Sequence, residues 1–85
     1  MYISIKNHHI GIVSIESLKN FITDSKLCDD NVIYLNPNTF DDIVLEYRSY
    51  FDKPMVAPLI LLGIHIVEDR SNRVPIQRVG VNYDS

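Results

Sequence analysis

Residues 59–76 read LILLGIHIVEDRSNRVPI, and the fold turns on how this stretch is divided. Between Leu59 and Val67 only Gly63 and His65 interrupt the aliphatic residues. Such a run predicts one long strand over residues 59–68. Side chains alternate across a strand, so Ile60, Leu62, Ile64 and Ile66 are expected on one face. Leu61, Gly63, His65 and Val67 are expected on the other. Residues 68–73, EDRSNR, carry turn chemistry, and residues 74–83, VPIQRVGVNY, read as the last strand. Pro75 has no amide donor, so that strand begins at an edge or a bulge. A sheet covered by helices on one side needs only one fully apolar face. The face with Gly63 and His65 is therefore expected to be half open, either to solvent or to a partner.

Upstream, residues 2–6 and 9–13 each alternate isoleucine with other residues, and Asn7-His8 between them suits a two-residue turn. This predicts a short N-terminal hairpin. Ser14 is a good N-cap, and Ile15, Leu18, Phe21 and Ile22 fall on one face of a helix of about ten residues. The stretch TDSKLCDDN closes it as a loop. Residues 32–35, VIYL, suit a short buried strand. Asn36-Pro37 then marks a helix start, because proline at the first helical position gives up no needed hydrogen bond. Thr39 offers a second cap one turn later. Phe40, Ile43, Val44, Tyr47, Tyr50 and Phe51 define the apolar face of that second helix, opposite Asp41, Asp42, Glu46 and Arg48. Residues 54–58 form a proline-bounded loop. The resulting order is ββαβαββ. The fold class is α+β: a single small domain over residues 1–85, with two helices on one face of a mainly antiparallel sheet.

With 85 residues there is room for one domain and a limited core. The net charge is −3, and residues 1–53 hold eight acidic against five basic side chains. This balance disfavours a duplex-binding role. The single cysteine, Cys28, cannot form an internal disulfide, and a reducing compartment fits. The N-terminus lacks the pattern of a signal peptide, and no apolar run reaches the roughly 18 residues of a membrane span. The expected protein is soluble, and intracellular or virion-associated.

Few residues offer chemistry. His8 and His9 are neighbours that a strand would point to opposite faces, and a zinc site needs three or four ligands. Asp29 and Asp30 are acidic neighbours of Cys28, the wrong surroundings for a nucleophilic thiolate. Asp41, Asp42 and Glu46 read as a solvated helix start that complements the helix dipole. The isolated glycines make no phosphate loop. No catalytic residue, metal or cofactor is expected. Arg70, Arg73 and Arg78 give the last hairpin a basic tip that can meet an acidic partner or phosphates, with Lys53 nearby in sequence. Leu61, His65 and Val67 give the half-open face an apolar patch with a polar centre. These six are the expected partner-binding residues. Tyr2 and Tyr83, at opposite ends of the chain, favour a protein contact on outer sheet positions.

The second half of the chain also resembles a known family. Leu35-Asn36-Pro37, then Leu62-Gly63-Ile64 with Val67, then Val74-Pro75 are similar to a segment of the axial domain of tailed-bacteriophage major capsid proteins. They are similar, too, to small phage and prophage proteins that carry this segment alone. The likeness spans residues 32–81, and the chain lacks the long spine helix and extended arm of a capsid subunit. The resemblance implies a phage-encoded protein with a role in assembly or interaction. The leading expectation is a non-catalytic interaction module that binds a virion protein, a host protein or itself, as a homodimer or small homo-oligomer. The alternatives are a nucleic-acid-binding module using the basic hairpin and a small metal-dependent enzyme using the histidines.

Overall fold

A computed structural model describes residues 4–51 and 59–83. Seven elements follow in order: β1 (Ser4–His8), α1 (Ile15–Ser25), β2 (Val32–Leu35), α2 (Pro37–Phe51), β3 (Leu59–Leu61), β4 (Ile64–Glu68) and β5 (Val79–Tyr83). The five strands form one sheet in the order β1-β5-β2-β4-β3. Only β2 and β4 run parallel; the other three pairings are antiparallel. The α+β class with two helices against a mainly antiparallel sheet is thus the observed architecture.

Local chemistry explains the helices. Ser14 sits in extended backbone, and its hydroxyl accepts from the Ser17 amide at 3.1 Å while the Ser17 hydroxyl accepts from the Ser14 amide at 2.7 Å. This reciprocal box satisfies two donors that the first turn would leave open. A third comes from another element: the Ile15 amide donates to Glu46 Oε1 of α2 at 2.9 Å. Glu46 is therefore a helix cap supplied in trans by α2, not part of a solvated acidic turn. Lys26 ends α1 in the left-handed conformation, and its amide donates back to the Ile22 and Thr23 carbonyls. For α2, Asn36 is the cap, accepting from the Asn38 amide at 3.0 Å. Thr39 is not a second cap. Its side chain is wholly buried, and its hydroxyl accepts from the Gln77 amide at 3.1 Å.

The core lies between the helices and one sheet face. Leu18 and Ile22 of α1 and Ile43 of α2 pack with Ile33, Leu35, Leu59, Leu61, Ile64, Ile66, Val79 and Val81. Phe40 and Tyr47 pack on this cluster half-buried, whereas Tyr50 and Phe51 are 73% and 41% exposed. Those last two aromatics were expected on the buried face. Instead, Phe51 rests on Tyr47 and Tyr50, with ring centroids 4.5 and 5.0 Å apart.

Three strand boundaries differ from the expectation. The N-terminal hairpin does not form. Asn7 and His8 lie inside β1, whose partner is β5 at the far end of the chain, and residues 9–13 lead into α1 through Gly11 at φ +83°. The strand expected over residues 59–68 is a hairpin. Leu62 and Gly63 have φ of +50° and +83°, and Leu61 pairs with Ile64 across them. Two consecutive residues at positive φ define the tight turn whose twist matches its strands. The strand expected over residues 74–83 starts only at Val79, because Gln77 at φ +60° breaks the extended path. The expectations for Tyr2, Lys53 and residues 54–58 lie outside the described residues, as does that for the Tyr83 side chain.

The turn itself suggests a test. Leucine is poorly suited to left-handed backbone, and Leu62 is 59% exposed, so packing returns little. Leu62→Asn, which creates the favoured Asn-Gly turn, is expected to stabilise the protein by about 0.5–1 kcal/mol. Urea denaturation would register this as a higher midpoint. A lower midpoint would mean that the leucine side chain holds the turn by contacts outweighing its backbone cost.

Candidate functional site

The helix-covered face uses up the aliphatic side chains of one register. The opposite face follows from the pairing. In one row across it stand Ile60, His65, Val32, Asn82 and Ile5; in the next stand Val67, Tyr34, Gly80 and Asn7. Part of this outer face is covered by the chain itself. The Val74 side chain, 1% exposed, lies over Gly80, where an added Cβ would come within 2.6 Å of Val74 Cγ2 and 2.8 Å of Ile5 Cγ2. Glycine at position 80 lets the loop descend onto the sheet.

That loop, residues 69–78, is built around one carboxylate. Asp69 is 3% exposed. Its Oδ1 accepts from the Ser71 amide at 3.0 Å and from the Ser71 hydroxyl, and its Oδ2 accepts from the Arg73 and Val74 amides, both at 2.8 Å. Burial alone pushes this carboxyl's pKa up, but the hydrogen bonds from Ser71, Val74 and Arg73 outweigh it and hold the pKa below the usual carboxylate value. Further ties fasten the loop to β1, to the cap of α2 and to the segment before α1. Asn7 of β1 donates to the Arg73 carbonyl at 3.0 Å, and Asn36 donates to the Val74 carbonyl at 3.1 Å. The Val13 amide donates to Gln77 Oε1 at 2.9 Å.

Arg70 and Arg73 stand exposed on this loop, and Arg78 is half-buried near its end. Arg70 Nε lies 3.9 Å from Glu68 in an open ion pair, Arg73 Nε donates to the Ser71 hydroxyl at 2.8 Å, and Arg78 donates to the Gln77 carbonyl at 3.1 Å. Beside the loop, on β2, β4 and β3, the outer face presents exposed Ile60 and His65 with half-buried Val32, Tyr34 and Val67. His65 and Val67 therefore lie where expected. Leu61 does not: it is buried at 6% exposure in the core under the helices. The two-residue turn reverses the alternation, so the buried residues are odd-numbered before it and even-numbered after it. Ile60 takes the outward place.

The histidines are dispersed. His8 is half-buried on the helix side of β1, with its ring 5.2 Å from that of Phe21, while His9 and His65 are exposed. Two strands, β5 and β2, separate β1 from β4, and His8 and His65 face opposite sides of the sheet. Among the described residues, no three His, Cys, Asp or Glu side chains are grouped to hold a metal ion. Cys28 is exposed, and both its amide and its thiol donate to Asn31 Oδ1, at 3.0 and 3.4 Å. Among the described residues no helix is long and apolar enough to cross a membrane. Sequence reasoning marked the arginines but missed Asp69, although the Asp-x-Ser spacing of a side-chain-capped turn was available as a signal. Comparison with known proteins finds no matching family model, no matching curated protein and no matching solved structure.

Proposed function

We propose that this chain is a small, non-catalytic, phage-type interaction module acting in a virion or a host cytoplasm. Its contact surface is the open part of the outer sheet face, Ile60, His65, Val67 and Tyr34, together with the adjoining loop that carries Arg70, Arg73 and Arg78. The partner is a second copy of the chain or another protein of the virion or host. The observation that carries this reading is the loop built on Asp69. A buried carboxylate with four donors is an expensive way to make a connection between two strands. It holds the arginine-bearing backbone in one shape beside an apolar surface, and a contact made in advance of binding loses less conformational freedom when a partner arrives. Arginine and aromatic residues flanking apolar area are the usual anchors of protein contacts.

Sedimentation equilibrium tests the proposal with self-association as its readout. The wild type should associate at high micromolar concentration. Ile60→Glu and Val67→Glu should abolish association while the far-ultraviolet spectrum stays unchanged. The triple variant R70A/R73A/R78A should weaken it while changing stability by less than about 0.5 kcal/mol. A wild type that stays monomeric removes the self-contact and leaves a foreign partner. Binding of random-sequence DNA or RNA that falls steeply with salt, and is lost in the triple variant, would instead favour a nucleic-acid module.

A further inference from the structure

The charges around the outer face are sorted by the ends of its strands. β2 and β4 run parallel, so both start at one end of the sheet and finish at the other. At the starting end lies the turn before β2, where Asp29 and Asp30 are both exposed. This turn is tied to the outer face, because the Asn82 side chain donates to the Asp30 carbonyl at 3.4 Å and accepts from the Val32 amide at 2.7 Å. It also abuts the turn between β3 and β4: a Cβ on Gly63 would lie 3.6 Å from Asp29 Oδ1. At the finishing end Arg70 stands just past Glu68, the last residue of β4, with 88% of its side chain exposed. Asp29 and Arg70 therefore bracket β4, one beyond each end. Charges of the opposite sign are also present at each end. Glu68 is half-buried on the helix-side register of β4 and approaches Arg70 only to 3.9 Å, Asp69 is buried among its four donors, and Lys26 ends α1 before the acidic turn begins.

The open strands alone are too small for a stable contact. β2, β4 and β3 lie about 4.8 Å apart and run for about 13 Å on average, an outline of roughly 200 Å². A stable protein contact takes about 800 Å² of accessible surface from each partner. A contact on this face must therefore extend over both charged ends. We infer that the partner is a second copy of the chain, stacked outer face to outer face with its strands reversed, so that Asp29 and Asp30 of each copy meet Arg70 and Arg73 of the other. This rests on the reading of the outer face as the contact surface. Two sheets stacked face to face can be related by a two-fold axis along the strands or across them. An axis along the strands sets acid against acid and arginine against arginine, which is costly. An axis across the strands reverses them and sets each acidic end against a basic one, twice per dimer. Because Asp29 and Arg70 lie at opposite ends of the same strand, this reversal stacks β4 on its own copy, with exposed His65 and half-buried Val67 towards the middle. Such a contact uses the same surface on both copies and closes at two.

Charge exchange on the full chain, read by sedimentation equilibrium, tests this. The wild type should form a dimer and no larger species. D29K/D30K, whose face is basic at both ends, and R70E/R73E, whose face is acidic at both ends, should each raise the dimer Kd by at least about tenfold with an unchanged far-ultraviolet spectrum. An equimolar mixture of the two variants should dimerise again, with a Kd close to that of the wild type. Arg73 also bonds Ser71, so Asp29→Lys and Arg70→Glu as single variants repeat the exchange without touching that bond. A monomeric wild type overturns the inference and leaves the face to a foreign partner. A dimer broken by Ile60→Glu but indifferent to the charge variants also overturns it, while the contact surface stands. Species larger than a dimer, or a mixture that stays monomeric, would show that the ends do not meet in this way.

Discussion

Asp69→Asn is expected to cost about 2–5 kcal/mol of stability. The carboxylate serves four donors with two oxygens, and three of these donors, the Ser71, Arg73 and Val74 amides, cannot accept. A carboxamide of the same shape must turn its NH₂ towards one pair, leaving the Ser71 pair or the Arg73 and Val74 amides facing another donor. Each buried donor left without a partner costs about 1–3 kcal/mol. The loss should spread past the loop, because Val74 is held over the sheet by that same carboxylate. The sign of the pH dependence also follows. The folded carboxyl has a depressed pKa, so its stabilisation is present in full above the ordinary 3.8 and disappears as pH falls through the folded value. Urea midpoints measured from pH 5 down to pH 2 should fall more steeply for the wild type than for Asp69→Asn. Parallel curves would show that the loop is ordered by its outer ties, Asn7, Asn36 and Thr39, and not by its centre.

Gly80→Ala should be nearly as damaging, at about 1–3 kcal/mol. The new methyl would lie 2.6 Å from Val74 Cγ2 and 2.8 Å from Ile5 Cγ2. Valine has one χ angle and, at 1% exposure, no open side to rotate into. The obstacle can be removed independently. In the double variant Gly80→Ala/Val74→Ala, the alanine at position 80 should cost markedly less than it does alone, giving a coupling of at least about 0.5 kcal/mol in thermal or urea unfolding. If the two effects simply add, something other than Val74 limits the space above residue 80.

These two residues show where sequence reasoning ran out. Ser14, Asn36 and Pro37 announce helix starts through their own side chains, and α1, β2 and α2 accordingly occur where the pattern puts them. The information needed is local. The partner of β1 is not. An alternating Ile-x-Ile stretch reports that it is a strand but not which strand lies beside it, and the nearest alternation, residues 9–13, was a false neighbour. The Leu62-Gly63 turn was hidden for a different reason. Both faces of residues 59–67 are aliphatic, so a shift of the buried register from odd to even positions leaves no trace in the hydrophobic pattern. A leucine also occupies the left-handed position that asparagine normally advertises. For the candidate surface, the arginines were legible as charge. Its rigidity was not, because Asp69 among five other polar or charged residues reads as solvent-facing until its four donors are seen.

The position of β5 has a consequence for synthesis. Among the described strands, β5 comes latest in sequence yet lies between β1 and β2, and β1, the earliest, pairs with β5. While the polypeptide is being translated, β2, α2, β3 and β4 can assemble in sequence. β1 with its Ile5, however, must wait until Val79–Tyr83 has left the ribosome. Joining β1 to a strand so distant in sequence makes that pairing a late step in assembly of the sheet. Folding rates fall as the contacts that must form grow more distant along the chain. By the same arrangement, a chain interrupted before residue 79 lacks the strand that β1 pairs with.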